Sequence, residues 1–153
     1  MIQRIQTLYL FIAFVLMLLL FFFPLAEILS GEGQLYAFRF DGLYYAGHET
    51  VYIQTVPTII LLSVIVAITF ISIFLYRRRV TQMRINFFNM LLMLGYVGLV
   101  YFYVQDFSKS LEAELVRYKV FDAFPFVAAI FSYLAIRAIG KDEALIRSID
   151  RIR

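Results

Sequence analysis

A single histidine, His48, stands beside Glu49 in the segment QLYAFRFDGLYYAGHETVY, which runs from Gln34 to Tyr52. An imidazole next to a carboxylate is a pair that moves protons. General acid–base catalysis also needs a positioned substrate and partner groups, and nothing else in the sequence converges on this pair. A zinc site needs three or four protein ligands, against one histidine and no cysteine here. The lack of cysteine also excludes disulfides, thiol redox relays and a thioether lipid anchor. The other concentrated chemistry is basic: Arg77, Arg78, Arg79 and Arg84 follow one another with no acid between them. Guanidinium groups bind phosphates and anionic head groups. These four and Arg137 are read as topology and anionic-lipid anchors. The alternative is that they gather around one anionic ligand, as in a small membrane enzyme. Asn86 and Asn89, spaced i, i+3, suit a helix cap or hydrogen bonds between helices. No catalytic residue, cofactor or metal is expected, and the chain reads as non-enzymatic.

The elements that must carry these residues are apolar. Ile5–Ala26, Thr50–Tyr76 and Ile85–Gln105 contain no Asp, Glu, Lys or Arg, and a shorter run, Ala123–Ile136, lies between Asp122 and Arg137. About 20 apolar residues suffice for an α-helix to cross a bilayer. Hydrophobic residues make up 63% of the chain and mean hydropathy is +0.83. A soluble domain is nearer 45–50% apolar, so the excess calls for lipid rather than water around it. The expected fold class is therefore an all-α membrane protein, a single four-transmembrane-helix bundle. Its spans fall at about 8–26, 57–76, 86–104 and 121–139. The first is read as a retained helix, because its apolar stretch exceeds a signal peptide's and no small-residue cleavage site follows. The expected external connections are 27–56 and 105–120, with a cytoplasmic tail over 140–153. Tyr76, Tyr101 and Tyr103 mark span ends, where a ring is apolar and a hydroxyl wet.

Basic residues orient the chain. Of the 14 Lys and Arg, ten belong to the N-terminus, the second connection and the tail, and four (Arg39, Lys109, Arg117 and Lys119) to the other two connections. Both termini are thus expected in the cytoplasm. None of the spans carries a central carboxylate, which argues against a cation-coupled exporter.

The connections hold three smaller elements. Tyr36, Phe38 and Phe40 alternate with Ala37 and Arg39, the period of a half-buried strand, and Asp41-Gly42 is a tight-turn pair. A small external β-hairpin or small meander between helices one and two is expected, its aromatic face on the helix ends or on a partner. Leu111, Leu115 and Tyr118 recur at i, i+4, i+7, so 105–120 reads as a short amphipathic helix, capped by Ser108 or Ser110. In the tail, Gly140 allows a turn into a short amphipathic cytoplasmic helix; the alternative is a straight cytoplasmic extension of helix four. Leu145, Ile149 and Ile152 form its apolar face and Arg147 and Arg151 its basic side, a candidate docking surface. Gly95 with Gly98, and Ala128 with Ser132 and Ala135, make small-residue patches for helix packing or for a partner.

The two ends carry specific motifs: Met1–Gln6, MIQRIQ, runs into the first apolar segment, and Lys141–Arg153, KDEALIRSIDRIR, follows the last. With four helices at this spacing, the chain resembles an uncharacterised family of integral inner-membrane proteins of Bacteroidota-type bacteria. The resemblance covers the whole chain. It implies a bacterial inner membrane and transfers no activity and no site residue.

Two functions remain. One is a non-catalytic accessory or structural subunit docking on a larger inner-membrane complex. The other is a binder of lipid or of a small anionic ligand. Expected partners are membrane lipids and a membrane protein or a second copy of the chain; nucleic acid is not expected. A transporter would require oligomerisation to build a polar path.

Overall fold

The computed structural model describes residues 3–46 and 51–150. Four helices, α1 (Gln3–Leu19), α2 (Val56–Phe74), α3 (Arg79–Ser110) and α4 (Phe124–Asp150), are joined by strands and short turns. The strands are β1 (Ala26–Leu29), β2 (Leu35–Arg39), β3 (Gly42–Tyr45), β4 (Val51–Gln54) and β5 (Leu115–Tyr118). Helix α4 packs on α1 and α3, and α2 packs on the same two from the other side.

Each helix buries a stripe whose steps alternate between three and four residues. In α1 it begins Gln6, Leu10, Ala13, Met17; in α2 it is Thr58, Leu62, Ile65, Thr69, Ser72; in α4 it is Ala128, Ser132, Ala135, Ile139, Asp142. In α3 the same rhythm runs from Gln82 through Asn86, Asn89, Met93 and Tyr96 to Val100. An average step of 3.5 residues keeps a stripe on its neighbours along the whole contact. The outward faces are apolar as well: Phe88 on α3 is 66% exposed, Phe102 63% and Ile130 on α4 58%. Three segments, Val56–Phe74, Arg79–Ser110 and Val120–Ala144, are long and apolar enough to cross a membrane.

The helix ends differ from those read in the sequence, for local reasons. Helix one was expected to reach Ala26. It ends at Leu19 in tightened turns (Phe21 N to Leu18 O 3.2 Å, Phe22 N to Leu19 O 3.0 Å), because Pro24 has no N–H to continue the ladder. Ala26 already belongs to β1. Pro57 occupies the first turn of α2, where its missing N–H costs nothing. Helix α3 has 32 residues, about 48 Å at 1.5 Å per residue, and overruns the expected 86–104 at both ends. Helix α4 does not turn at Gly140 but continues unbroken to Asp150. The separate amphipathic tail helix is therefore replaced by an extension of the fourth helix.

The largest correction concerns the sheet. The chain builds five antiparallel strands in the order β4-β3-β2-β1-β5, not a small hairpin. Its last member, β5, comes from the connection after α3, read above as an amphipathic helix. Ala26 to Leu29 face Tyr118 to Leu115 in register. Glu114 N donates to Leu29 O at 2.9 Å and Lys119 N to Leu25 O at 2.8 Å, closing both ends of the pair. The chain reverses before β5 through Glu112, whose φ is 46°. Ser108 and Ser110 lie inside α3 rather than capping a new helix.

The expected aromatic face does lie on the helices. Phe38 is fully buried, 5.9 Å between ring centres from Phe107, and Phe40 is 4.8 Å from Phe21. The sheet thus closes one end of the helices, hereafter the sheet end. The other end, with the start of α1, the α2–α3 connection and the last third of α4, is the basic end.

Candidate functional site

Toward the basic end the buried stripes turn polar in every helix: Gln6 on α1, Thr69 and Ser72 on α2, Gln82, Asn86 and Asn89 on α3, and Asp142 on α4. Part of this layer is internally bonded. Gln6 Nε2 donates to Asp142 Oδ2. Gln82 Nε2 donates to Ser72 O at 2.8 Å, Asn89 Nδ2 to Thr69 Oγ1 at 2.8 Å, and Thr69 Oγ1 to Ile65 O at 2.8 Å. The rest is not. Ser72 Oγ, Arg79 Nη1, Gln82 Oε1, Asn89 Oδ1 and both amide atoms of Asn86 have no hydrogen-bond partner among the described residues. A buried group left unpaired costs about 1–3 kcal/mol. The layer therefore holds the helices in register at some expense in stability, and it keeps free donors and acceptors inside the protein.

Asn86 and Asn89 are interior residues of α3, not its first turn, because the helix begins at Arg79. Asn89 bonds to the neighbouring helix; Asn86 caps nothing. Asp142, assigned by sequence to the tail, is only 8% exposed and lies within a segment apolar enough to span a membrane. The signal that would have found it is the spacing Ala128, Ser132, Ala135, Ile139, Asp142, which carries the buried stripe of α4 past the last apolar run.

Between α1 and α4 the same end opens into a groove of about 410 Å³, lined by Ile5, Tyr9, Leu134, Arg137, Ala138, Lys141 and Asp142. Of the arginines named above whose side chains are described, Arg137 alone lines it. Arg79 sends one guanidinium nitrogen into the interior, while Arg78 and Arg84 are exposed on the α2–α3 side. Arg77 closes the one-turn helix between α2 and α3. The groove thus pairs Arg137 with Lys141 rather than with the arginine run.

The two small-residue patches separate. Ala128, Ser132 and Ala135 are buried and let α4 approach its neighbours, with Ser132 Oγ 3.8 Å from Met93 Sδ. Gly95 and Gly98 are exposed, and a β-carbon added at either would touch nothing within 4 Å. They smooth the outer face of α3.

At the sheet end the two edges are β4 and β5. All four residues of β4, Val51, Tyr52, Ile53 and Gln54, are exposed. Tyr52 turns its ring toward Tyr36 and Tyr45, at 5.5 and 5.4 Å between centres. On β5, Leu115 and Tyr118 are exposed, and Lys119 just beyond it pairs with Glu27 of β1 at 2.7 Å. The phenols inside the sheet are poor acids. Burial, with hydrogen bonding to Tyr45 and to Asp41 respectively, pushes Tyr36 and Tyr44 up to about 12. Both stay neutral at physiological pH.

His48 and Glu49 lie outside the described residues, as do Arg151 and Ile152. Leu145, Arg147 and Ile149 fall on α4, but their side chains are likewise outside what the structure describes. Among the described residues no group of three or more His, Cys, Asp or Glu could hold a metal ion.

None of the curated proteins matches the sequence. A family model described as a domain of unknown function, DUF4293, matches residues 2–152. That span takes in nearly all of both terminal motifs and every element between them, and the chain belongs to the DUF4293 family.

Proposed function

We propose that this chain is an integral protein of a bacterial inner membrane, of the Bacteroidota type, that docks through its sheet on a larger membrane complex as a non-catalytic accessory or structural subunit. The observation that carries the reading is the exposed strand β4. Phe88, Phe102 and Ile130 are apolar and exposed on helices, where lipid covers them at no cost. Val51, Tyr52 and Ile53 are apolar and exposed on an edge strand beyond the helix ends, where the bilayer core does not reach. An edge strand also presents unpaired N–H and C=O groups, which template a further strand. A partner's extended segment, or the same strand of a second copy, satisfies both needs at once.

The distribution of charge supports the orientation. The helices' basic end carries the arginine run, the start of α1 and the last third of α4, so that end faces the cytoplasm and the sheet faces outward.

The test is a paired substitution, Val51→Lys with Ile53→Lys. Exposed positions tolerate such changes within about 0.5 kcal/mol, and lysine on an edge strand opposes strand addition. With the tagged protein extracted from its native membrane, the partner recovered with wild type is expected to fall roughly tenfold for the variant, a loss of about 1.4 kcal/mol. Equal recovery of the same partner would remove the strand from the docking surface. A self-paired strand would appear instead as a dimer of the wild type that the variant lacks.

A second reading, binding of lipid or of a small anionic ligand, is favoured by one observation, the α1–α4 groove with its two cations.

A further inference from the structure

We propose that the groove between α1 and α4 binds a single phosphate-bearing anion between Arg137 and Lys141; this rests on the second reading above and gives it a site. The two cations are four residues apart on one face of α4 and line the same groove. Like charges at i, i+4 on a helix repel, and neither residue has a carboxylate ion pair among the described residues. Both lie toward the basic end of Val120–Ala144, a segment apolar enough to span a membrane, where cations near a membrane surface attract anionic head groups.

The remaining walls fit a phosphate that carries an apolar tail. Asp142 is the single acid of the lining among the described residues, and its Oδ2 accepts from Gln6 Nε2, so those residues keep a net positive charge. Tyr9 adds a phenol, and Ile5 and Leu134 form an apolar side. Outside the groove the α1 surface continues through Leu8, which is 54% exposed, a path for an acyl chain. A groove of about 410 Å³ accommodates a glycerophosphate head group. The shared chemistry is a phosphate; an anionic phospholipid and free phosphate are its two sources.

The test uses the full chain in nanodiscs of phosphatidylcholine with and without phosphatidylglycerol, read by native mass spectrometry. Wild type is expected to retain one phosphatidylglycerol. The double variant Arg137→Gln, Lys141→Gln is expected to lose it at least about tenfold, since both basic groups that attract the phosphate are gone. The pair Lys109→Gln, Arg117→Gln removes an equal charge at the sheet end, where both residues are exposed, and is expected to retain the lipid. Asp142→Asn removes the one opposing charge and is expected to retain more, an outcome that simple loss of fold does not produce. Displacement by inorganic phosphate identifies the free anion as a competent source, and resistance to it identifies the lipid. Equal retention by wild type and the double variant overturns the proposal, as does equal retention of phosphatidylcholine. Partner recovery through β4 is a separate readout, so the two proposals fail independently.

Discussion

Replacing Gly42 with alanine is expected to break the pairing of β3 with β4 and to leave the helices standing. Gly42 pairs with Gln54 across the strands. A β-carbon added to it would sit 2.2 Å from Ile53 O and 3.1 Å from Gln54 Cα. Both neighbours are backbone, so no side chain can swing away. The φ of 157° is one that residues with a β-carbon rarely adopt, so the backbone itself resists the change. Strain of this kind costs about 1–3 kcal/mol, and the overlap adds lost hydrogen bonds to it. A fall of about 3 kcal/mol in the stability of the sheet is expected. Hydrogen exchange should show β3 and β4 amides losing protection while those of α3 keep theirs. Partner recovery should fall with them, because β4 would no longer be held as a strand. An alanine variant with wild-type protection in β3 and β4 would contradict the geometry assigned to this turn.

The second large effect is expected at the opposite end. Gln6→Leu removes the donor that Asp142 Oδ2 uses and leaves a buried carboxylate without its partner. Loss of one partner from a buried hydrogen bond to a carboxylate costs more than the bond contributes. A destabilisation of about 2–3 kcal/mol is expected for the single change. Replacing both groups, Gln6→Leu with Asp142→Leu, should cost much less, since neither is then stranded. The signature is non-additivity: thermal melting in detergent should show the double variant more stable than Gln6→Leu alone. If the two single costs simply add, the pair is not a unit and the polar layer does not hold α1 to α4.

These two residues also mark where the sequence is readable and where it is not. The Asp41-Gly42 turn is legible because its chemistry is local: a short polar residue and a glycine between alternating apolar residues. The helices are legible because apolar runs of this length have few other solutions. Asp142 is not, because hydropathy reports where lipid lies, not where a helix ends. Helices α3 and α4 continue through charged residues once their first turns are made. The inward position of Asp142 depends on a stripe begun fourteen residues earlier at Ala128 and on Gln6 at the far end of the chain.

Strands β1 and β5 escape for a different reason. Each has four residues, too few for a period to show. Their pairing joins segments on either side of α2 and α3, and no local signal in either announces it. The run Leu111, Leu115, Tyr118 has helical spacing, yet the open edge of β1 offers its backbone a full set of hydrogen bonds. Tertiary pairing wins over local propensity. The groove was half legible: Arg137 stood out as a cation, but its companion is Lys141 on the same helix, not the arginine run.

The helices are expected to lie in a membrane with the sheet outside it. The chain has no cysteine, so single cysteines report without interference. Glu32, Thr81 and Phe88 are all exposed, one at the sheet end, one at the basic end and one on the apolar outer face of α3. In intact cells a membrane-impermeant maleimide is expected to label cysteine at Glu32 only. Cysteine at Thr81 should react after the membrane is opened, and cysteine at Phe88 should stay unreactive until detergent is added. Labelling of the Thr81 position in intact cells with protection at Glu32 would invert the orientation, and ready labelling at Phe88 would place the helices in water.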